Sequence, residues 1–349
     1  MAEVATAPEA GQLATADSPQ IAGKSPWGLA WRRLRRDRAA IAALIVFVLI
    51  VVTSFAAPLY ANHIAHTDPF QSNVDGTITQ NGKKVSVLQT NALGIGVTPI
   101  GPTWHSQYFL GADSQGRDVM ARLLYGGRAS LLIGIGSALI ACLLAAIVGL
   151  VAGFFGGLID SILSRLMDVI WAFPVYLLAI CISTVLLVKG LQVGPVGVNP
   201  NSLWLPTIII GVVYVPYVAR PIRGQVLSVR EKEYVEAAIA QGASNLRLIF
   251  SDVLPNVVTV VIVLLPLMIA NTILTEAALS FLSIGVRPPN ASWGTIIGDG
   301  QELLYVRPWV SIAPGIMILL TVLSLNVLGD GVRDALDPRA KLRVEGDGS

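Results

Sequence analysis

Charge is scarce in this chain. Asp, Glu, Lys and Arg make up 13% of its 349 residues and hydrophobic residues 54%, with a mean hydropathy of +0.67. A soluble globular domain carries about twice that share of charge, so an ordinary water-exposed surface is excluded. Cysteine is nearly absent. Cys142 and Cys181 both fall inside apolar runs, which rules out a disulfide framework or a cysteine zinc site and leaves them as small packing residues. Of three histidines, His63 and His66 form H-x-x-H, too few ligands on their own for a metal centre. Catalytic signatures are missing too: no HExxH, no nucleophile elbow and no glycine fingerprint at a strand-to-helix junction. A phosphate loop needs G-x-x-x-x-G-K-[ST] after a strand. The one near match, Gly23-Lys24-Ser25, has Ser18 in place of the first glycine and no strand before it. No enzyme activity, cofactor or nucleic-acid partner is expected of this chain.

What the chain does have is long charge-free runs. About 20 apolar residues cross a bilayer at 1.5 Å per residue, and six such spans are read at 39–60, 129–156, 169–188, 203–219, 253–275 and 308–329. An all-α polytopic membrane protein follows, with the lipid bilayer as its first partner. Residues 1–25, rich in Ala and Pro and lacking an apolar core, read as a disordered cytosolic tail, not a cleaved signal. "WRRLRRDR" then precedes the first span and marks that side as inside. Six crossings return the C-terminus, with its tail 343–349, to the same side. Inside then lie six basic residues before the first span, Arg165, five from Arg220 to Arg247 and four after the last span, twice the number outside. Arg117, Arg122 and Arg128 sit on the wrong side, close to the second span. "GRDVMARLLYGGRASL" has apolar residues at helical spacing, so an interfacial amphipathic helix is expected there.

The organisation expected is therefore a basic segment and first span over 26–60, an extracytoplasmic loop over 61–128 and a core over 129–342 that includes an inside loop at 220–252. In the outer loop, "TITQNGKKVSV" places Asn81-Gly82 between two alternating runs, the signal of a type I′ hairpin. Ionisable residues within spans are few, which weighs against an ion-driven carrier. Asp160, Arg165 and Asp168 are read in a short inside turn. Glu276 reads as an interfacial residue bonded to a neighbouring helix end, or else, with Asn271, Thr272 and Thr275, as the lining of a polar path. Gly149 and Gly153 form a GxxxG, which suits either internal packing or a partner face.

One polar stretch, "EYVEAAIAQGASNLRLIFSDVLPN", lies between two of the most apolar spans. Glu233 to Ala240 are good helix formers. Gly242 can take the left-handed form that ends a helix, Ser244 or Asn245 can cap a second short helix, and Pro255 suits the first turn of the next span. The result is a helix–Gly–helix elbow presented inside.

These residues resemble a known family. Tyr234, Glu236-Ala237-Ala238, Gly242 and Leu254-Pro255 are similar to the EAA loop of ATP-binding-cassette importer permeases. "LGADSQGRDVMARLLYGGRASLLIG", "EAALSFLSIGVRPPNASWG" and "LNVLGDGVRDALDPR" look like further blocks of the C-type permease of the dipeptide, oligopeptide and nickel branch. The resemblance spans 26–342. It implies the six-helix type I importer permease fold with a cytosolic coupling helix, in the cell membrane. The implied partners are a second homologous permease, one or two ATPase subunits and an extracytoplasmic substrate-binding protein. Peptides are the implied cargo, with nickel or another small solute as the alternative within the family. A secondary carrier or a membrane scaffold is the alternative outside it. Three departures stand out: Ser251 and Asp252 where relatives usually carry a basic or apolar pair, Ser283 where they often have Gly, and an outer loop from 74 to 101 longer than the family shows.

Overall fold

The computed structural model describes residues 26–80, 82–90, 96–193 and 196–337. The terminal tails and the Gly23-Lys24-Ser25 near match fall outside them. A short helix α1 (Pro26–Leu34) leads through a tight turn into α2 (Arg38–Phe55), whose N-cap Asp37 accepts bonds from the backbone N–H groups of Ala39 and Ala40. The chain continues through α3 (Ala57–Leu59) and a π-helical turn, Tyr60–Ala65. Next comes a β module: β1 (Thr77–Gln80) pairs antiparallel with β2 (Lys83–Ser86), and β3 (Leu88–Thr90) pairs with β4 (Val97–Pro99). Gln80 faces Lys83, which leaves a two-residue connection with Gly82 at φ +76°. Asn81, the other half of the expected turn, lies outside the described residues. Ile78, Val87, Ile100, Tyr108 and Ala112 give the module a small core of its own.

The helical body begins with α4 (Val119–Phe155), a single helix of 37 residues. The remaining elements are α5 (Gly157–Trp171), α6 (Val175–Lys189), the short pair β5 (Leu191–Val193) and β6 (Val196–Val198), α7 (Trp204–Val213), α8 (Val215–Arg230), α9 (Glu233–Ala240), α10 (Asn245–Leu248), α11 (Leu254–Phe281), α12 (Trp293–Asp299) and α13 (Trp309–Leu336). Among the described residues four helices are long and apolar enough to span a membrane. The bent pairs α5–α6 and α7–α8 raise the number to six if each pair is one span. The main core gathers residues of α4, α7, α8 and α11, and a second core joins α2, α4, α11, α12 and α13.

Several expectations are corrected by this arrangement. The amphipathic helix expected around Arg117 to Arg128 is not a separate interfacial element. Its residues run straight into the second span as the first turns of α4, with Arg122 only 2% exposed. Burial there is tolerable because Arg117 and Arg122 both reach the Asp299 carboxylate at 2.8 Å while Arg117 Nε meets Asp113 at 2.7 Å; a buried charge needs such pairing. The expected third span at 169–188 is broken by the segment containing Pro174: α5 and α6 meet at 87°, and Asp160, Arg165 and Asp168 lie on a 15-residue helix, not a short turn. The fourth span bends by 43° at Tyr214, beside Pro216, which has no N–H to return to the preceding turn. Its helix extends to Arg230, well into the stretch assigned to the inside loop. Cys142 is buried as expected, but Cys181 is exposed on α6, so it is not a packing residue of this chain.

The GxxxG ambiguity resolves into internal packing. A Cβ at Gly149 would lie 2.8 Å from the Ala219 carbonyl and one at Gly153 2.7 Å from Val226 Cβ, so these glycines let α4 lie directly on α8. Ser283 holds φ +61° just after α11, a left-handed conformation that glycine adopts far more easily.

Candidate functional site

The site is the elbow between α8 and α11. Val226 and Val229 of α8 are fully buried, and the chain leaves the bundle at Arg230. Lys232, in an extended conformation, begins α9, whose first turn carries Glu233 and Glu236, acids that suit the positive end of a helix. Both are exposed, as are Ala237 and Tyr234, whose ring has the Lys232 ammonium 6.0 Å from its centre. Ala238 is half-buried. The helix ends in a paired cap: Gly242 N–H donates to the Ile239 carbonyl at 2.9 Å and Ala243 N–H to the Ala238 carbonyl at 3.0 Å. This closure needs a left-handed residue at Gly242, and its φ is +81°. No atom lies within 4 Å of where a Cβ would be, so backbone geometry alone selects glycine within this chain.

Ser244 caps the next helix, its Oγ accepting from Arg247 N–H at 3.4 Å. After α10 a π-helical turn, Ile249–Val253, leads into α11. Leu254 and Pro255 open that helix, and Pro255 lacks the N–H that would return to Ser251. Asn256 Nδ2 donates to the Asp252 carbonyl at 2.8 Å. One face of the elbow is fixed to the main core by Val235, Leu248, Ile249 and Val253, all buried. The other face presents Tyr234, Ile239, Leu246 and Phe250, between 46% and 68% exposed. Covering a side chain of this kind stabilises a contact by about 1.5–3 kcal/mol. Of these four, only Tyr234 was singled out from sequence. Ile239, Leu246 and Phe250 lie in a stretch where apolar residues outnumber the inward positions, which was the available signal.

Two ion pairs brace the helix that leads into the elbow. Arg223 grips Asp160 of α5 with Nη2–Oδ2 at 2.6 Å, and Arg220 reaches Asp168 at 2.9 Å while its guanidinium lies 5.5 Å from the Trp171 ring centre. Arg230 Nη1 donates to the Phe154 carbonyl, the end of α4, at 3.0 Å. Neither pairing was visible in sequence.

The residues read as an alternative path lining lie elsewhere, within the bundle. Thr272 Oγ1 donates toward the Gly134 carbonyl at 2.8 Å, and Thr275 Oγ1 meets the Tyr214 hydroxyl at 2.9 Å, its helix bond going to the Asn271 carbonyl. Glu276 is fully buried, accepts from Ser280 Oγ at 2.7 Å and is surrounded by Ser130 of α4 and Ser292, the N-cap of α12. Its carboxylate thus lies beside the start of a neighbouring helix. Thr272, Thr275 and Glu276 are buried against the chain's own helices, and Asn271 is half-exposed.

At the far end of α4, the β module is clamped to the bundle. Asp118, the N-cap of α4, accepts from Tyr108 N–H at 2.9 Å and from Thr67 Oγ1 at 3.2 Å, and Arg307 Nε donates to the Pro99 carbonyl at 2.7 Å. Tyr60 donates its hydroxyl to the Ser106 carbonyl at 3.2 Å. Among the described residues no three His, Cys, Asp or Glu side chains gather for a metal.

Residues 145–342 match the family model described as binding-protein-dependent transport system inner membrane component, and residues 25–79 match the N-terminal TM domain of oligopeptide transport permease C. The dipeptide transport system permease protein DppC of Alkalihalophilus pseudofirmus is 35% identical over 92% of this chain and 93% of its own length. The oligopeptide transport system permease proteins OppC of Escherichia coli (strain K12) and Bacillus subtilis (strain 168) are 34% and 33% identical, over 92% and 93% of this chain and 93% and 94% of theirs. Among solved structures, a chain of the inward-facing MetNI methionine ABC transporter superposes with a TM-score of 0.50 at 17% identity, covering 62% of this chain and 97% of that one, which speaks to the fold.

Proposed function

We infer the function from one premise: the chain belongs to the binding-protein-dependent inner-membrane permeases, as a C-type permease of the peptide ABC importers. It is a multi-pass inner-membrane transport subunit with the type I importer permease fold, not an enzyme, and ATP hydrolysis belongs to partner subunits. The cargo we assign is short peptides, the substrates named for its dipeptide and oligopeptide relatives. The path is formed with a second permease, the cargo is delivered by an extracytoplasmic binding protein, and ATP with Mg is held by one or two ATPase subunits. The elbow and both chain ends face the cytoplasm, as the arginines ahead of α2 favour.

One observation carries this reading. The elbow is capped at Gly242 and fixed to the bundle on one face, yet among the described residues it leaves four large apolar side chains half-exposed or more on the other. An ATPase socket covering Tyr234, Ile239, Leu246 and Phe250 would grip α9 and α10 directly. Its motion on nucleotide binding would pass along α8 and α11, which enter and leave the elbow. The test is a Leu246→Glu, Phe250→Glu double variant, which alters the exposed face alone. The ATPase subunits should no longer co-purify while the two permeases remain together. Retention of the ATPase at wild-type level would remove the elbow from the coupling path.

A further inference from the structure

A second unpartnered surface lies away from the elbow, at the corner between α1 and α2. The two helices are joined by a tight turn in which Arg36 N–H and Asp37 N–H both donate to the Arg33 carbonyl. One face of α1 packs inward through Ala30, and Arg33 Nη1 donates to the Asp337 carbonyl just past the end of α13 at 3.0 Å. A Cβ at Gly331 of α13 would lie 2.6 Å from Ala40 Cβ and 3.3 Å from Asp37 Oδ2, so the corner is seated closely on the last helix.

The outward face has a different character. Trp27 and Trp31, one turn apart, are 50% and 59% exposed, the placement of interfacial anchors whose rings sit at headgroup level. Beside them Arg32, Arg35, Arg36 and Arg38 are exposed and form no ion pair among the described residues. Arg35 lies 5.7 Å from the centre of the Trp31 ring, which holds its guanidinium beside the indole. From Pro26 to Phe55 the sole acid is Asp37, and its Oδ1 is engaged by the first N–H groups of α2. Arg36 and Arg38 thus flank the positive end of α2, where cations are disfavoured and an anion is favoured. Among the described residues no carboxylate lies within ion-pair distance of these four arginines, and two exposed indoles beside them suit the headgroup level of a bilayer.

We propose that the α1–α2 corner binds the headgroup of an anionic phospholipid, with Arg32, Arg35 and Arg36 on the phosphate and Trp27 and Trp31 at the glycerol level. Since Arg33 and Gly331 tie the corner to α13, the bound lipid braces the first and last spans against each other. This site lies apart from the elbow, and its test does not depend on the transport assignment.

The full chain, purified in detergent and stripped of lipid, is titrated with phosphatidylglycerol or phosphatidylcholine, and retained lipid is counted by native mass spectrometry. Phosphatidylglycerol should be retained well above phosphatidylcholine, and millimolar inorganic phosphate should not displace it, separating a membrane lipid from a free anion. Each guanidinium removed should weaken retention roughly fivefold, so Arg32→Gln, Arg35→Gln, Arg36→Gln together should abolish the preference. Lys83→Gln with Lys84→Gln in β2 removes charge elsewhere and should leave it intact. Arg36→Gln alone, with no side-chain partner to lose among the described residues, keeps the test open if the triple variant fails to purify. Equal retention of the two lipids by wild-type protein, displacement by phosphate, or a triple variant that keeps its preference would each overturn the proposal.

Discussion

Arg223 of α8 and Asp160 of α5 face each other as a two-point pair, the guanidinium Nε and Nη2 each meeting one carboxylate oxygen. The helix Arg223 belongs to runs directly into the elbow, and the helix of Asp160 turns by 87° into α6. Any displacement of the elbow therefore pulls on α5 through this contact. Both groups are partly exposed, so the pair adds only about 0–1 kcal/mol to stability. Asp160→Asn should leave expression and melting nearly unchanged but lower the number of substrate molecules taken up per ATP in reconstituted complex. An exchanged pair, Asp160→Arg with Arg223→Asp, should restore part of that ratio. An unchanged ratio for Asp160→Asn would show that α5 follows the elbow without this link.

Gly242 makes a sharper prediction because steric crowding within the chain is absent. Replacement by valine costs on the order of 1 kcal/mol or more through the positive φ alone, while asparagine, which tolerates that region, should cost less. Gly242→Val is expected to weaken ATPase docking or uncouple hydrolysis from uptake, Gly242→Asn to sit between it and wild type. The readout is ATPase stoichiometry after purification together with uptake per ATP. Equal defects in both variants would mean that the partner's surface, not the backbone, selects glycine.

At Ser283 the same physics runs in the opposite direction. A serine at φ +61° is strained, so Ser283→Gly should raise the thermal midpoint of the purified chain, with a gain of about 1 kcal/mol reduced by the greater freedom glycine has when unfolded. Ser283→Val should lower it. A midpoint unmoved by either substitution would show that the turn after α11 relaxes freely.

Orientation is checked by single cysteines introduced after Cys142 and Cys181 are replaced by Ala. Thr79 on β1 and Ser244 in the elbow are both exposed and lie at opposite ends of the bundle. Thr79→Cys should react with a membrane-impermeant maleimide in intact cells, and Ser244→Cys only after the membrane is opened. Labelling of both from outside would contradict an odd number of crossings between them.

The elbow was legible in sequence because each of its determinants is local: helix formers in α9, Gly242 one residue past the C-cap, Ser244 as the next cap, Pro255 in the first turn of α11. The six apolar runs were legible for a similar reason, since hydropathy is a property of a window. What a window misses is direction. It merged the end of α5 with α6 at 169–188 because Val169, Trp171 and Phe173 are apolar whether or not the chain turns a right angle there. It treated Arg122 as a surface cation because Asp299, its partner, is 177 residues away. Glu276 posed a subtler difficulty: the serines around it come from three separate helices, so sequence could name the residue but could not choose between a joint and a path.

The length of α4 has a geometric consequence. At 1.5 Å per residue its 37 residues measure about 55 Å, whereas the hydrocarbon of a bilayer is about 30 Å thick. Even with a tilt of about 20°, some four turns extend beyond the hydrocarbon, and Arg122 and Arg128 sit in that section. The helix is therefore a mast, stepped at one end beside the α5 and α8 contacts and carrying the clamped β module at the other.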